Sequence, residues 1–168
     1  MKWVVDTNVP KTANGRTATP QASAACVQRC VQRLLELQRH HVLVLDDQWL
    51  ILAEYCRQLR STGQQGVGDA FLKWVLTHQT NSRHCQRVSI TPLSAAQGRR
   101  YLEFPDDENL AGFDPADQMF VAVALADPDH PPVLNAVDSD WLIYQDALAG
   151  YGVPVETLCP ETIKANRI

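Results

Sequence analysis

The chain has 168 residues, 45% of them hydrophobic and 20% charged, with a formal net charge of −4. That size and apolar content suit one domain over residues 1–168 with a substantial core, and the acidic balance argues against a protein that grips nucleic acid mainly through a basic surface. No apolar run approaches the roughly 20 residues a bilayer crossing requires, and the amino terminus enters a strand without a charged leader, so a cytoplasmic protein with no membrane partner is expected.

Residues 2 to 6 read as a short apolar strand, Trp3-Val4-Val5, ending at Asp6. Asn8-Val9-Pro10 through Thr19-Pro20 is rich in Thr, Gly, Asn and Pro and reads as loop. A helix is expected from about Ser23 to Gln38, with Val27, Val31, Leu34, Leu35 and Leu37 on its apolar face. Val42-Leu43-Val44-Leu45 is the next strand, after which Asp46 or Asp47 caps a helix running to about Leu59. A flexible connector over Ser61 to Gly68 leads to helical periodicity from Asp69 to about Thr77. Arg87 to Ile90 is a strand, Pro115 to Ala126 a helix capped by Asp114, Pro132 to Val137 a strand and Trp141 to Ala149 a helix ended by Gly150. Val153-Pro154-Val155 supplies a last strand.

Strands alternating with helices predict an α/β fold with a mainly parallel sheet covered on both faces, in which ligands bind beyond the carboxyl ends of the strands. Four acids stand in separate apolar contexts: Asp6 and Asp138 at strand ends, Glu54 inside Leu50-Ile51-Leu52-Ala53-Glu54-Tyr55, and Asp117 before Met119-Phe120-Val121. A carboxylate beside buried apolar surface is costly unless a cation or hydrogen bonds compensate it, so four such acids point to a shared positive partner. Oxygen-only ligation suits Mg²⁺ or Mn²⁺, and such a site suits phosphodiester cleavage. Taken singly, Asp6 and Asp138 simply end strands and Asp117 sits in a favourable first helical turn, whereas Glu54 in its apolar segment has no such explanation.

These stretches also resemble a family. Val4-Val5-Asp6-Thr7-Asn8-Val9 is similar to the opening strand and turn of PIN-domain nucleases, and Glu54 lies where the family's second acid does. Phe113-Asp114-Pro115-Ala116-Asp117-Gln118-Met119-Phe120 is similar to its D-P-x-D-x-x-F helix entry, and Leu134 to Leu142 to its late strand ending in T-x-D-x-D-L. The matches run in the family's order over residues 2 to 156, with Ala136 standing where the family carries Thr. The resemblance implies a three-layer PIN-like α/β/α fold and a metal-dependent endoribonuclease, with Asp6, Glu54, Asp117 and Asp138 as catalytic metal ligands. Asp140 is either a further ligand, a supporting group or a helix cap, and Asn8 supports the site. RNA is the implied substrate, with single-stranded DNA also allowed, and stand-alone members imply a toxin with an antitoxin partner and a homodimer.

Other groups carry less. Five cysteines in no framework spacing predict reduced thiols, with Cys26 and Cys30 buried on a helix face. His78, His84 and Cys85 lack a fourth zinc ligand. Trp3, Trp49, Trp74 and Trp141 sit in apolar patterns and read as core. A haloacid-dehalogenase-type phosphatase needs D-x-D-x-T, and here Asn8 and Pro10 replace its second Asp and its Thr. The rival from another class is a non-catalytic RNA- or protein-binding module of the same fold.

Overall fold

A computed structural model describes residues 1–15, 22–62, 66–94 and 98–165. Five strands, β1 (Lys2–Val5), β2 (Val42–Asp46), β3 (Cys85–Val88), β4 (Val133–Asn135) and β5 (Val155–Thr157), form one sheet in the order β3-β2-β1-β4-β5. Every pairing is parallel. The helices are α1 (Asn8–Ala13), α2 (Ala24–His40), α3 (Leu50–Gln58), α4 (Val67–His78), α5 (Gln118–Ala126), α6 (Ser139–Ile143), α7 (Gln145–Gly150) and α8 (Pro160–Ala165). Consecutive residues Trp3, Val4 and Val5 of β1 and Leu43, Val44 and Leu45 of β2 are all buried. Successive strand residues face opposite ways, so both faces of the sheet are covered, as in a three-layer α/β/α arrangement. Among the described residues no helix is long and apolar enough to cross a membrane.

The strand order places β1 between β2, which follows it in the chain, and β4, which comes much later. The chain thus runs from β1 through β2 to β3 at one edge, then crosses back to β4 and β5 on the other side of β1. Strand order reverses between β1 and β4, where a crevice is expected at the strand ends. Helix α5 is buried from Gln118 through Ala124 with no polar side facing water, as befits a helix enclosed by other elements. That burial fixes Asp117, immediately before it.

Several local expectations change. Residues 8–13 form a helix instead of a loop, because Pro10 lies in the first turn, where its missing N–H has no helical partner to lose, while Val9, Thr12 and Ala13 are buried. The remainder of that expected loop, residues 16–21, lies outside the described residues, as does the connector at 63–65. Gly68 lets α4 meet α1 so closely that a Cβ there would collide with the Pro10 carbonyl. The buried stripe of α2 is Cys26, Cys30, Leu34 and Leu37, with Leu35 turned outward. Strand β3 begins two residues before the expected span, and the expected helix over 141–149 is two short helices meeting at Tyr144.

The thiols also differ from expectation. Cys26 and Cys159 form a disulfide across 133 residues, tying the start of α2 to the residue before α8, and leaving Cys30, Cys56 and Cys85 free. No short-range spacing announces a pair so far apart in sequence. Trp49 is the other reversal. Trp3 and Trp141 are core residues and Trp74 packs partly against the core, but Trp49 is 47% exposed.

Candidate metal centre

Asp6 follows β1, Asp138 follows β4 and precedes α6, and Asp117 ends a 3-10 turn (Pro115–Asp117) that leads into α5. One carboxylate oxygen from each lies within 4.8 Å of the others. Three of the four acids singled out from the sequence therefore meet at the crevice between β1 and β4.

Asp6 is held on both oxygens. Its Oδ1 accepts hydrogen bonds from the Asn8 backbone N–H at 2.8 Å and from Asn8 Nδ2 at 2.7 Å, while Oδ2 accepts from the indole Nε1 of Trp141 at 2.7 Å. Asn8 reaches further. Its Nδ2 also donates to Asn135 Oδ1 at 2.9 Å, and its Oδ1 accepts from the Ala136 N–H at 2.8 Å and the Val137 N–H at 3.2 Å. One side-chain amide thus stitches the end of β1 to the turn after β4.

Asp138 uses Oδ1 to accept from the Asp140 N–H at 2.9 Å and so caps α6. The cap of this helix is therefore Asp138 and not Asp140. Asp140 Oδ2 accepts from the Asp114 N–H at 2.9 Å, latching the segment before α5 to α6, and Asp114 Oδ1 accepts from the Ala116 N–H at 2.9 Å. Asp140 stands outside the three-carboxylate group and holds the chain that delivers Asp117. Glu54 is also outside it: on α3 it pairs with Arg57 one turn later. Its neighbour Tyr55 donates to the Val5 carbonyl at 2.6 Å, bracing the strand residue before Asp6.

Burial and neighbouring acids act on Asp6 and Asp117. Burial, opposed in part by the Asn8 N–H and reinforced by the charge of Asp138, raises the Asp6 pKa to about 6. Burial raises Asp117 to about 10, with the charges of Asp6, Asp138 and Asp114 adding to it. Burial also raises Asp140. Asp117 Oδ2 is a buried acceptor with no hydrogen-bond partner. An unpartnered buried carboxylate oxygen facing two further acids is what a divalent cation would satisfy, and the all-oxygen donor set suits Mg²⁺ or Mn²⁺.

Two further residues shape the site. Trp141 is a core residue with a fully buried ring, as its apolar surroundings predict, but its N–H serves Asp6. Phe113 packs edge-on against that ring at 5.0 Å between centroids. Asn135 is fully buried in β4; its Oδ1 accepts from the Asp138 N–H at 3.1 Å and its Nδ2 donates to the Asp138 carbonyl at 2.9 Å. The signal for it was an amide inside the apolar run Val133-Leu134-Asn135-Ala136-Val137, since a buried amide needs partners. It supplies a polar side chain next to Ala136, whose own side chain offers none. No family model matches the chain, and no curated protein or solved structure does either.

Proposed function

We propose that this chain is a metal-dependent nuclease of PIN-like architecture that hydrolyses phosphodiester bonds of RNA at Asp6, Asp117 and Asp138. The observation that carries the reading is the convergence of these three carboxylates, with Asp117 Oδ2 buried and unpartnered. A Mg²⁺ or Mn²⁺ ion held there would supply polarisation of a phosphate oxygen and a lowered pKa for the attacking water. The chain's own part is to hold ligands in place. Asn8 and Trp141 leave Asp6 little freedom to turn, the α6 cap fixes Asp138, and the Asp140–Asp114 latch and buried α5 deliver Asp117. Glu54 pairs with Arg57 outside the three-carboxylate group, so its inclusion among the metal ligands rests on the family resemblance alone. The choice of RNA first and single-stranded DNA second, the antitoxin and the homodimer rest on the family resemblance alone.

The test is cleavage of labelled RNA and single-stranded DNA with Mg²⁺, Mn²⁺ or EDTA, comparing the native chain with Asp117→Asn. Metal-dependent cleavage that disappears in the variant is the expected result. Folded protein that cleaves neither strand and binds no Mn²⁺ by calorimetry would overturn the reading and leave the binding-module alternative.

A further inference from the structure

We propose that Trp49 is a stacking platform for a base of single-stranded nucleic acid, a reading that rests on the nuclease assignment and extends it to how the strand is held. Trp49 is 47% exposed in a protein that buries Trp3 and Trp141. An indole left half in water forgoes the favourable transfer that usually draws it inside, and such exposed aromatics mark contact surfaces.

The backbone adds an independent observation. Trp49 has φ 65° and ψ 23°, the left-handed conformation that a glycine or asparagine adopts at far lower cost than a bulky residue. The corner is rigidly held. Asp46 Oδ2 accepts from the Gln48 and Leu50 N–H groups and Oδ1 from the Ile51 N–H, each at 2.9 Å, and Gln48 Nε2 donates to the Ile90 carbonyl at 2.6 Å. A strained position, braced on both sides and occupied by an exposed tryptophan, fits a site-building role better than a turn-making one.

Position supplies the third. Trp49 stands just beyond the carboxyl end of β2, the neighbour of β1. The register pairs Lys2 with Val42 and Trp3 with Leu43, so its continuation sets Asp46 beside Asp6. Trp49 therefore stands at the same edge of the sheet as the three carboxylates. A chain of net charge −4 gains little from long-range attraction to phosphates. Stacking on an aromatic face needs no such attraction, and every base offers a π-face whatever the sequence.

The experiment uses the full chain, a labelled 12-nucleotide single-stranded RNA and the same strand with abasic sites, with EDTA for binding and Mn²⁺ for kinetics. Trp49→Gly removes the ring without straining the backbone, so it should weaken RNA binding by about 5- to 100-fold in a chain that stays folded by circular dichroism, and Trp49→Phe should keep most of the affinity. In kinetics the loss should fall on KM more than kcat. The abasic strand should bind wild type weakly and respond little to Trp49→Gly. Iodide should quench Trp49 fluorescence in the free chain and lose access when RNA is bound. Wild-type binding and cleavage with unchanged affinity in Trp49→Gly would overturn the platform and spare the nuclease. Absence of RNA binding and of metal-dependent cleavage in wild type overturns both. Iodide protection that grows with protein concentration but not with RNA overturns the platform in favour of a protein contact.

Discussion

The indole N–H of Trp141 donates a 2.7 Å hydrogen bond to Asp6 Oδ2, joining the end of β1 to α6 across 135 residues of chain. With Oδ1 already accepting two bonds from Asn8, the indole fixes the remaining oxygen of a carboxylate that is 3% exposed. Trp141→Phe keeps an aromatic ring against Phe113 and removes only this donor and some ring volume. It should destabilise the fold by about 1–3 kcal/mol, the range for stranding a buried acceptor, and weaken Mn²⁺ binding by about 10- to 100-fold through a mis-set Asp6. Denaturant unfolding and calorimetry check the two effects separately. Mn²⁺ affinity within twofold of wild type would mean that Asp6 is held well enough by Asn8 alone.

Asp117 makes the opposite demand on stability. Its raised pKa means that the metal-free fold bears a cost for this acid at neutral pH, either as a buried charge or as a proton taken from water. Asp117→Asn removes that cost and should stabilise the metal-free chain at pH 7 by on the order of 1–3 kcal/mol, after discounting for the partial solvent access of the site. The same variant should lose Mn²⁺ binding. A residue that is costly to the empty fold but needed for the ion is placed for function, whereas a variant both less stable and still able to bind Mn²⁺ would make Asp117 a structural helix-entry residue.

Some of this was legible in the sequence and some was not, for identifiable reasons. Apolar runs marked β1, β2 and β4, because strands buried on both faces read as unbroken hydrophobic stretches. Asp6, Asp117 and Asp138 stand out in the sequence for the same reason: each ends or begins such a stretch, and the parallel topology gathers strand ends at one edge. Periodicity says which side chains are buried but not what their polar atoms meet, so Trp141 could be placed in the core and its N–H could not be assigned to Asp6. Glu54 shows the converse limit. Its apolar surroundings belong to Ile51, Leu52 and Tyr55, which turn inward, while Glu54 itself reaches Arg57 at the helix surface. The left-handed corner at Trp49 depends on three N–H groups converging on Asp46, which no local pattern of hydrophobicity reports.

The three-acid site gives metal-free stability a characteristic pH dependence. Asp6 and Asp117 have folded pKa values of about 6 and about 10 against an ordinary 3.8, so between these values the native state holds more protons than the unfolded chain. Their relative stabilisation is complete below the unfolded value and is lost as pH rises through the folded ones, with a limiting slope of about 1.4 kcal/mol per pH unit for each proton. In EDTA, Tm should therefore fall from pH 5 to pH 8, with a smaller fall in Asp117→Asn. Glu36, Asp107, Asp129 and Glu161 are held below their usual values and lose their contribution only under more acidic conditions, outside this window. Saturating Mn²⁺ should flatten the decline, since the cation takes over from the protons. Identical pH profiles for wild type and Asp117→Asn in EDTA would remove the electrostatic argument for the site.

The disulfide makes a prediction independent of the metal. Cys26 and Cys159 close a loop of 133 residues, for which the chain-entropy model gives a ceiling of about 5 kcal/mol, against about 2–4 kcal/mol usually measured. Reduction, or Cys159→Ser, should lower the urea midpoint accordingly, and the loss should appear first in protection of β5 and α8 from hydrogen exchange, because these are what the bond fastens to α2. Cys30 lies close enough for its sulfur to stand within 4.8 Å of both bonded sulfurs, but burial pushes its thiol up to about 12. A thiol held protonated is a poor nucleophile, so Cys30 should leave the Cys26–Cys159 bond in place instead of exchanging into it. Peptide mapping of the oxidised chain at pH 7 to 8 should recover only that pairing, and Cys30→Ala should leave the urea midpoint of the oxidised chain shifted only by the volume lost. Recovery of a Cys30-containing disulfide would show that the three sulfurs interchange, and that the end of the chain is tethered to α2 by a bond able to migrate.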